Sequence, residues 1–299
     1  MISEIAKHLE QALITNQNTD FIINNNHYEY DPQQFALLTT PELQLTPSLI
    51  FIDGGSAIIA SAANFSLSFI RVASVEFTNL KKTAEQKYEF YLLTIPKFDT
   101  LTTNEIIVYE SIIFPLTKTS SPPHLINPEH LKIAWNHPSI KNGLSNAQPS
   151  KIIDIARRLA ELALANQMPP PVNNNNNNNS EKIIILDGTK DTTYPNEQQY
   201  IDQLPKSTCA IAKSSSFLTT SGNSPNYILL KNGPPEPWIY SLDNENHFVK
   251  IHQNSKHVLR FQGKKELAKY ILPHTNDALF PGYPYGLIYI DRLARISNE

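Results

Sequence analysis

Ser48-Leu49-Ile50-Phe51-Ile52-Asp53-Gly54-Gly55-Ser56-Ala57 sets the reading of this chain. Leu49 to Ile52 are large and apolar without alternation, which describes a strand covered on both faces in the middle of a sheet. Aspartate is a poor strand residue and costly to bury unpaired, so Asp53 needs a reason to follow them. A turn is one reason, because Asp-Gly is common between strands. A second copy, Lys182-Ile183-Ile184-Ile185-Leu186-Asp187-Gly188-Thr189, offers another. Two buried strands, each ending in Asp-Gly, can bring two carboxylates to one edge of a sheet.

Working outward, Phe65, Leu67 and Phe69 alternate with smaller polar residues, and Tyr88 to Ile95 form a further run before Pro96. Connections this short favour antiparallel neighbours, so 48–53, 64–77 and 87–95 read as a meander. Glu105 to Phe114 fits a strand or a helix. Pro149 to Asn166 reads as a helix capped by Ser150, with Ile152, Ile155, Ala156, Leu159, Leu162 and Ala163 in one stripe. Asp154 and Glu161 fall on the opposite face. The Asn-rich stretch at 172–180 has nothing to pack and reads as a flexible insertion. If the helix is a crossover, 182–186 returns parallel to 48–53. The expected fold class is α/β, a mixed sheet of an antiparallel meander plus parallel strands, flanked by helices.

Later segments read as a helix near Asn196–Leu204, strands at Cys209–Lys213, Tyr227–Leu230, Trp238–Tyr240 and His257–Phe261, a helix near Lys264–Leu272, and a final helix after the Gly/Pro/Tyr turn at 280–285. Ahead of the opening strand, residues 2–15 suit an amphipathic helix capped by Ser3. That helix can pack on the domain or on a second subunit, and it motivates an expected homodimer. The domain division is then 1–46, helix and lead-in, and 47–299, the main domain.

The 299 residues can bury a sizeable core, and a formal net charge of −3 gives no overall basic field. One cysteine, Cys209, excludes an intramolecular disulfide, and no signal-peptide or membrane-spanning pattern stands in the sequence, so the expected location is cytoplasmic. Nine histidines without HxxxH or HxH spacing argue against zinc. Ser56 is not in a GxSxG setting, and the GxGxxG and Walker phosphate patterns are absent.

Asp53 and Asp187 at adjacent parallel strand ends stand where ligands bind in such sheets. Paired carboxylates repel and are neutralised by a proton or a cation. Hard divalent cations take oxygen ligands, and two of them about 4 Å apart serve phosphodiester hydrolysis. Asp154, Glu161 and Glu110 are candidates for a third carboxylate.

At this point the chain resembles the NurA family of DNA-repair nucleases, of ribonuclease H-like fold, over roughly 45–299. The matching pieces are Phe51-Ile52-Asp53-Gly54-Gly55-Ser56, the helix with Arg158 and Glu161, Ile185-Leu186-Asp187-Gly188-Thr189, Ala210-Ile211-Ala212-Lys213-Ser214, and Gly282-Tyr283-Pro284-Tyr285 with Ile290-Asp291-Arg292-Leu293-Ala294. The resemblance implies a Mn2+- or Mg2+-dependent DNase acting on single strands and duplex ends, a homodimer working with a HerA-type hexameric ATPase. It implies metal ligands at Asp53, Glu161 and Asp187, Lys213 near the scissile phosphate, and Tyr283 in the C-terminal block. Asp291 falls where many members carry histidine; it can ligate a metal but cannot act as a neutral imidazole. The contrasting expectation is a nuclease-like protein that binds DNA or an ATPase without catalysis.

Overall fold

The computed structural model describes residues 2–14, 20–23, 26–42, 46–99, 106–116, 125–141, 143–168, 182–213 and 217–296. The Asn-rich stretch at 172–180 and Ser214 lie outside the described residues. In chain order come α1 (Ile2–Ile14), β1 (Phe21–Ile23), β2 (Asn26–Tyr28), β3 (Phe35–Leu37), β4 (Ser48–Ala62), β5 (Phe65–Thr78), β6 (Lys81–Asp99), β7 (Ile106–Pro115) and β8 (Ile133–Ala134). Then follow α2 (Ile152–Gln167), β9 (Lys182–Asp187), α3 (Glu197–Ile201), β10 (Thr208–Ala212), β11 (Leu218–Thr219) and α4 (Pro225–Asn232). β12 (Trp238–Ser241), β13 (Asn246–Lys250), β14 (Leu259–Gln262) and α5 (Tyr285–Ala294) complete the order. The chain divides into two compact units, Gln44–Thr208 with Gly286–Glu299, and Met1–Leu43 with Cys209–Tyr285.

The first unit carries both aspartates. Its strands run β9-β4-β5-β6-β7-β8 across the sheet. Every neighbouring pair is antiparallel except β4 with β9, which is parallel. A parallel return needs a crossover of a dozen or more residues, and α2 lies within it. The arrangement is the expected mixed sheet, an antiparallel meander beside a parallel pair, with the meander carried on through β7 and β8. The segment that suited strand or helix is therefore strand β7.

β4 corrects one expectation. Its pairing with β5 continues from Leu49↔Phe77 through Asp53↔Ala73 to Ala62↔Phe65, so Asp53-Gly54-Gly55 is neither a strand end nor a turn. The glycines are there for close approach. A Cβ on Gly54 would come within 2.7 Å of Glu161 Oε1 on α2, and one on Gly55 would collide with the Ala294 carbonyl at the end of α5. Successive strand residues point to opposite faces, so α2 and α5 press on β4 from its two sides. Gly286 of α5 makes the same accommodation for the Phe51 ring. Gly55→Val is expected to lower unfolding stability by about 3 kcal/mol through this clash. Urea unfolding reads it as a lower midpoint at unchanged m.

α2 differs from its expected form in two ways. It opens through a 3-10 turn, Pro149–Lys151, with no side-chain cap, so Ser150 is not the cap. It is also buried nearly all round, because the sheet covers one side while α3 and the short turn Pro128–Leu131 cover the other. The face expected to be solvated thus includes Glu161, which is only 3% exposed.

The other unit pairs β3-β12-β13-β14-β10 in antiparallel order, beside a small sheet β11-β1-β2. Phe21, Ile23, Trp238, Tyr240 and Phe248 form its core, so the segment expected as a lead-in contributes strands and core residues. Tyr227–Leu230, expected as a strand, lies in helix α4, where Pro225 sits at the helix start and Gly233 follows its end. The helix expected near Lys264–Leu272 is a 3-10 helix, Lys265–Thr275. Among the described residues no helix is long and apolar enough to cross a membrane.

Candidate active site

The parallel ladder decides where the aspartates stand. Its last rungs are Phe51↔Ile185 and Ile52↔Leu186, so Asp53 and Asp187 are the next residues on neighbouring strands. Such strands lie about 4.8 Å apart, and in-register neighbours share a face. Gly188 follows at φ +124°, a backbone conformation that only glycine adopts easily, and turns the chain away immediately after Asp187. α2 delivers Glu161 against Gly54.

The three carboxylates feel one another. Asp53 is pushed up to about 8, first by burial and then by the charges of Glu161 and Asp187, against the pull of the Gly54 N–H and Arg157. That N–H donates to Asp53 Oδ1 at 2.8 Å. Burial pushes the Glu161 carboxyl up as well, opposed by two arginines. Arg157 Nη1 lies 2.5 Å from Glu161 Oε1, and Arg158 Nη1 lies 3.8 Å from Oε2.

Arg158 has a further task. Its Nε donates to Glu197 Oε1 at 2.6 Å and its Nη2 to the Thr189 carbonyl at 2.5 Å. Glu197 Oε2 accepts from the Thr193 and Tyr194 N–H groups at 2.7 and 3.0 Å. This buried pair ties the loop after Asp187 to α2. Neither Arg157 nor Glu197 stood among the sequence candidates. Arg157 was findable from its i,i+4 spacing to Glu161; Glu197 left no signal, because its partners come from a loop.

The remaining candidates are engaged elsewhere. Asp291 pairs with Arg295 at 3.0 Å, one helical turn on along α5. Glu110 pairs with Lys97 at 2.5 Å and Lys132 at 3.7 Å. Lys213 and Tyr283 belong to the other unit, where Lys213 Nζ stands 4.5 Å from the centre of the Tyr283 ring.

Three oxygen-donor side chains that repel one another suit a hard divalent cation such as Mn2+ or Mg2+ in kind and charge. Among the described residues, no three His, Cys, Asp or Glu side chains already form a metal-ligand cluster. Glu161 Oε1 accepts from Arg157 and Asp53 Oδ1 from the Gly54 N–H.

A pH dependence follows. The folded chain holds the Asp53 proton to about 8, whereas an aspartate in water gives it up at 3.8. In metal-free protein this contribution to stability is present below pH 3.8 and is lost as pH rises through about 8. Metal uptake at pH 7 is therefore expected to release about one proton, with affinity rising up to about tenfold per pH unit below 8. Calorimetry of Mn2+ binding in buffers of different ionisation enthalpy measures that proton.

No protein-family model matches the chain and no curated protein is significantly similar to it, so the family resemblance stands on its quoted residues alone. Several solved structures are similar in fold. Endonuclease V of Ciona intestinalis, in complex with a 24mer DNA containing an inosine followed by a ribo-adenosine, is 12% identical at a TM-score of 0.40, over 98% of this chain and 95% of that one. Endonuclease V from Bacillus subtilis is 9% identical at 0.40, over 88% and 85%. The human enzyme is 10% identical at 0.34, over 88% and 91%. Likenesses this distant bear on neither the substrate nor the mechanism of this chain.

Proposed function

We propose that this protein is a divalent-metal-dependent DNA nuclease, a hydrolase of phosphodiester bonds, with Asp53, Glu161 and Asp187 as the metal ligands. The observation that carries the reading is the gathering of carboxylates from β4, α2 and β9, where burial first and then the charges of Glu161 and Asp187 push Asp53 up to about 8. Mn2+ or Mg2+ bound there would supply charge stabilisation at the phosphate and an activated water. The chain's own part is positional. Gly54 and Gly55 let two helices close on the strand, Gly188 turns the chain after Asp187, and Arg158 with Glu197 fixes the loop beyond it. On the strength of the motifs, Lys213 is proposed to act near the scissile phosphate and Tyr283 within the C-terminal block; Asp291 is a proposed further ligand once released from Arg295. Processing of DNA ends with 5'-3' exonuclease and single-strand endonuclease action, a homodimeric state and a HerA-type ATPase partner extend the proposal on the strength of the motifs.

The test is degradation of single-stranded and duplex DNA with Mn2+, comparing parent, Asp53→Ala and Asp187→Ala. Equal activity in all three would sink the assignment. A second reading, a DNA- or ATPase-binding protein without catalysis, draws on the Asp291–Arg295 pair, since Asp291 stands where the family usually has histidine. Mn2+ uptake abolished by Asp53→Ala, together with loss of cleavage, favours the nuclease; partner binding with no metal uptake favours the alternative.

A further inference from the structure

Two arginines flank Glu161, and they are held differently. Arg158 is fixed by Glu197 and the Thr189 carbonyl, and its side chain is 11% exposed. Arg157 is 31% exposed, with Glu161 Oε1 at 2.5 Å and a long 3.4 Å contact to the Gly54 carbonyl as its hydrogen bonds. Its charge is held by Glu161, Asp53 and Asp154. An i,i+4 pair on a helix normally sits in water and is worth a few tenths of a kcal/mol. Here the Glu161 end is 4% exposed, and the guanidinium charge also acts on Asp53, against the burial that raises it.

We propose that Arg157 is the site's own counter-cation, which a divalent ion must displace from Glu161, so that this side chain sets the metal affinity. The inference rests on the metal reading above and deepens it. A guanidinium stays charged at any working pH. It cannot remain against Glu161 Oε1 while a divalent cation uses that oxygen, because the two positive charges would stand within a few ångströms in a poorly screened place. Arg157 can leave by side-chain rotation alone, since its hydrogen bonds run through Nη1 and, among the described residues, no carboxylate holds its other nitrogens as Glu197 holds Arg158. Arg158 cannot leave without unpairing a buried carboxylate. In the metal-free protein Arg157 keeps the acidic cluster folded; in the metal-bound protein it is released toward the solvent to which its side chain is already 31% exposed.

The experiment titrates Mn2+ into the full chain without DNA and follows heat and thermal unfolding for parent, Arg157→Met, Arg157→Gln and Arg157→Lys. Both neutral variants are expected to bind Mn2+ at least about tenfold more tightly than parent. They should also unfold earlier than parent without metal and recover with saturating Mn2+. Arg157→Lys, which keeps the charge, should stay near the parent affinity. A merely structural arginine would weaken metal binding or leave it unchanged when removed. Equal or weaker affinity in a folded neutral variant therefore overturns the inference while leaving the metal reading intact. If neither parent nor neutral variant takes up Mn2+, the metal reading itself falls, and this inference with it.

Discussion

Asp53→Asn is expected to fold at least as well as the parent at pH 7 and to lose DNA cleavage by a factor of about 10³ or more. The second figure takes the upper range seen when one charge-stabilising group is removed from an active site. Two properties of one residue stand behind this opposite pair of effects. Asp53 sits among Glu161 and Asp187 in a partly buried place, and its proton is held to about 8. A neutral amide has nearly the shape of that protonated acid and still offers an oxygen to the Gly54 N–H at the position of Oδ1. It removes the charge on which the proposed cation depends. Stability should rise by about 1 kcal/mol, within the range found when a residue kept for function is replaced. Urea unfolding in chelator, set beside cleavage rates in Mn2+, measures both halves. A destabilised variant, or one that cuts normally, contradicts the assignment of Asp53 as an ionised ligand in the working state.

Glu197→Ala carries the largest expected loss of stability, about 3–5 kcal/mol, which is the range for breaking a buried ion pair from one side. Glu197 is 1% exposed and accepts from Arg158 Nε and from two backbone N–H groups. Its removal leaves a buried guanidinium and the Thr193 and Tyr194 N–H groups without that acceptor. Against the 5–15 kcal/mol that holds a typical domain, such a loss is severe. Glu197→Gln should cost less, because an amide oxygen can still accept. Chemical unfolding distinguishes the two; a loss under about 1 kcal/mol in the alanine variant would show that water satisfies the pair. Because the same side chain anchors the loop beyond Asp187, weaker Mn2+ binding should accompany it in whatever fraction folds.

The strands that hold the aspartates were legible because continuous apolar runs have few alternatives to a doubly covered strand, as β4 and β9 confirm. The crossover helix was legible from its stripe, and with it the parallel pairing of 48–52 with 182–186. What was not legible depended on partners far away in sequence. Asp53-Gly54-Gly55 has the composition of a turn, and only α2 and α5 show that the glycines are missing side chains within a continuous strand. The acidic face of α2 looked solvated until the side-chain-free Gly54 let β4 approach it, which took Glu161 out of water. Tyr227–Leu230 fits either period at four residues; the Pro225 and Gly233 that bracket it point to a helix. Three-residue strands such as β1 and β2 are too short for periodicity to register at all.

The placement of α5 carries a consequence for synthesis. Its residues 286–294 lie over the Phe51 side of β4, yet they are made only after all of Cys209–Tyr285 has been added. At roughly 5–20 residues per second that wait lasts seconds, far longer than the time in which hairpins form. Throughout it the emerging β4–β5 ladder offers Phe51, Val75 and Phe77, all at most 4% exposed in the finished fold, to whatever apolar surface is near. Until α5 is made, that side of β4 lacks its cover, and the close contacts of Gly286 with Phe51 and of Ala294 with Gly55 are what close it.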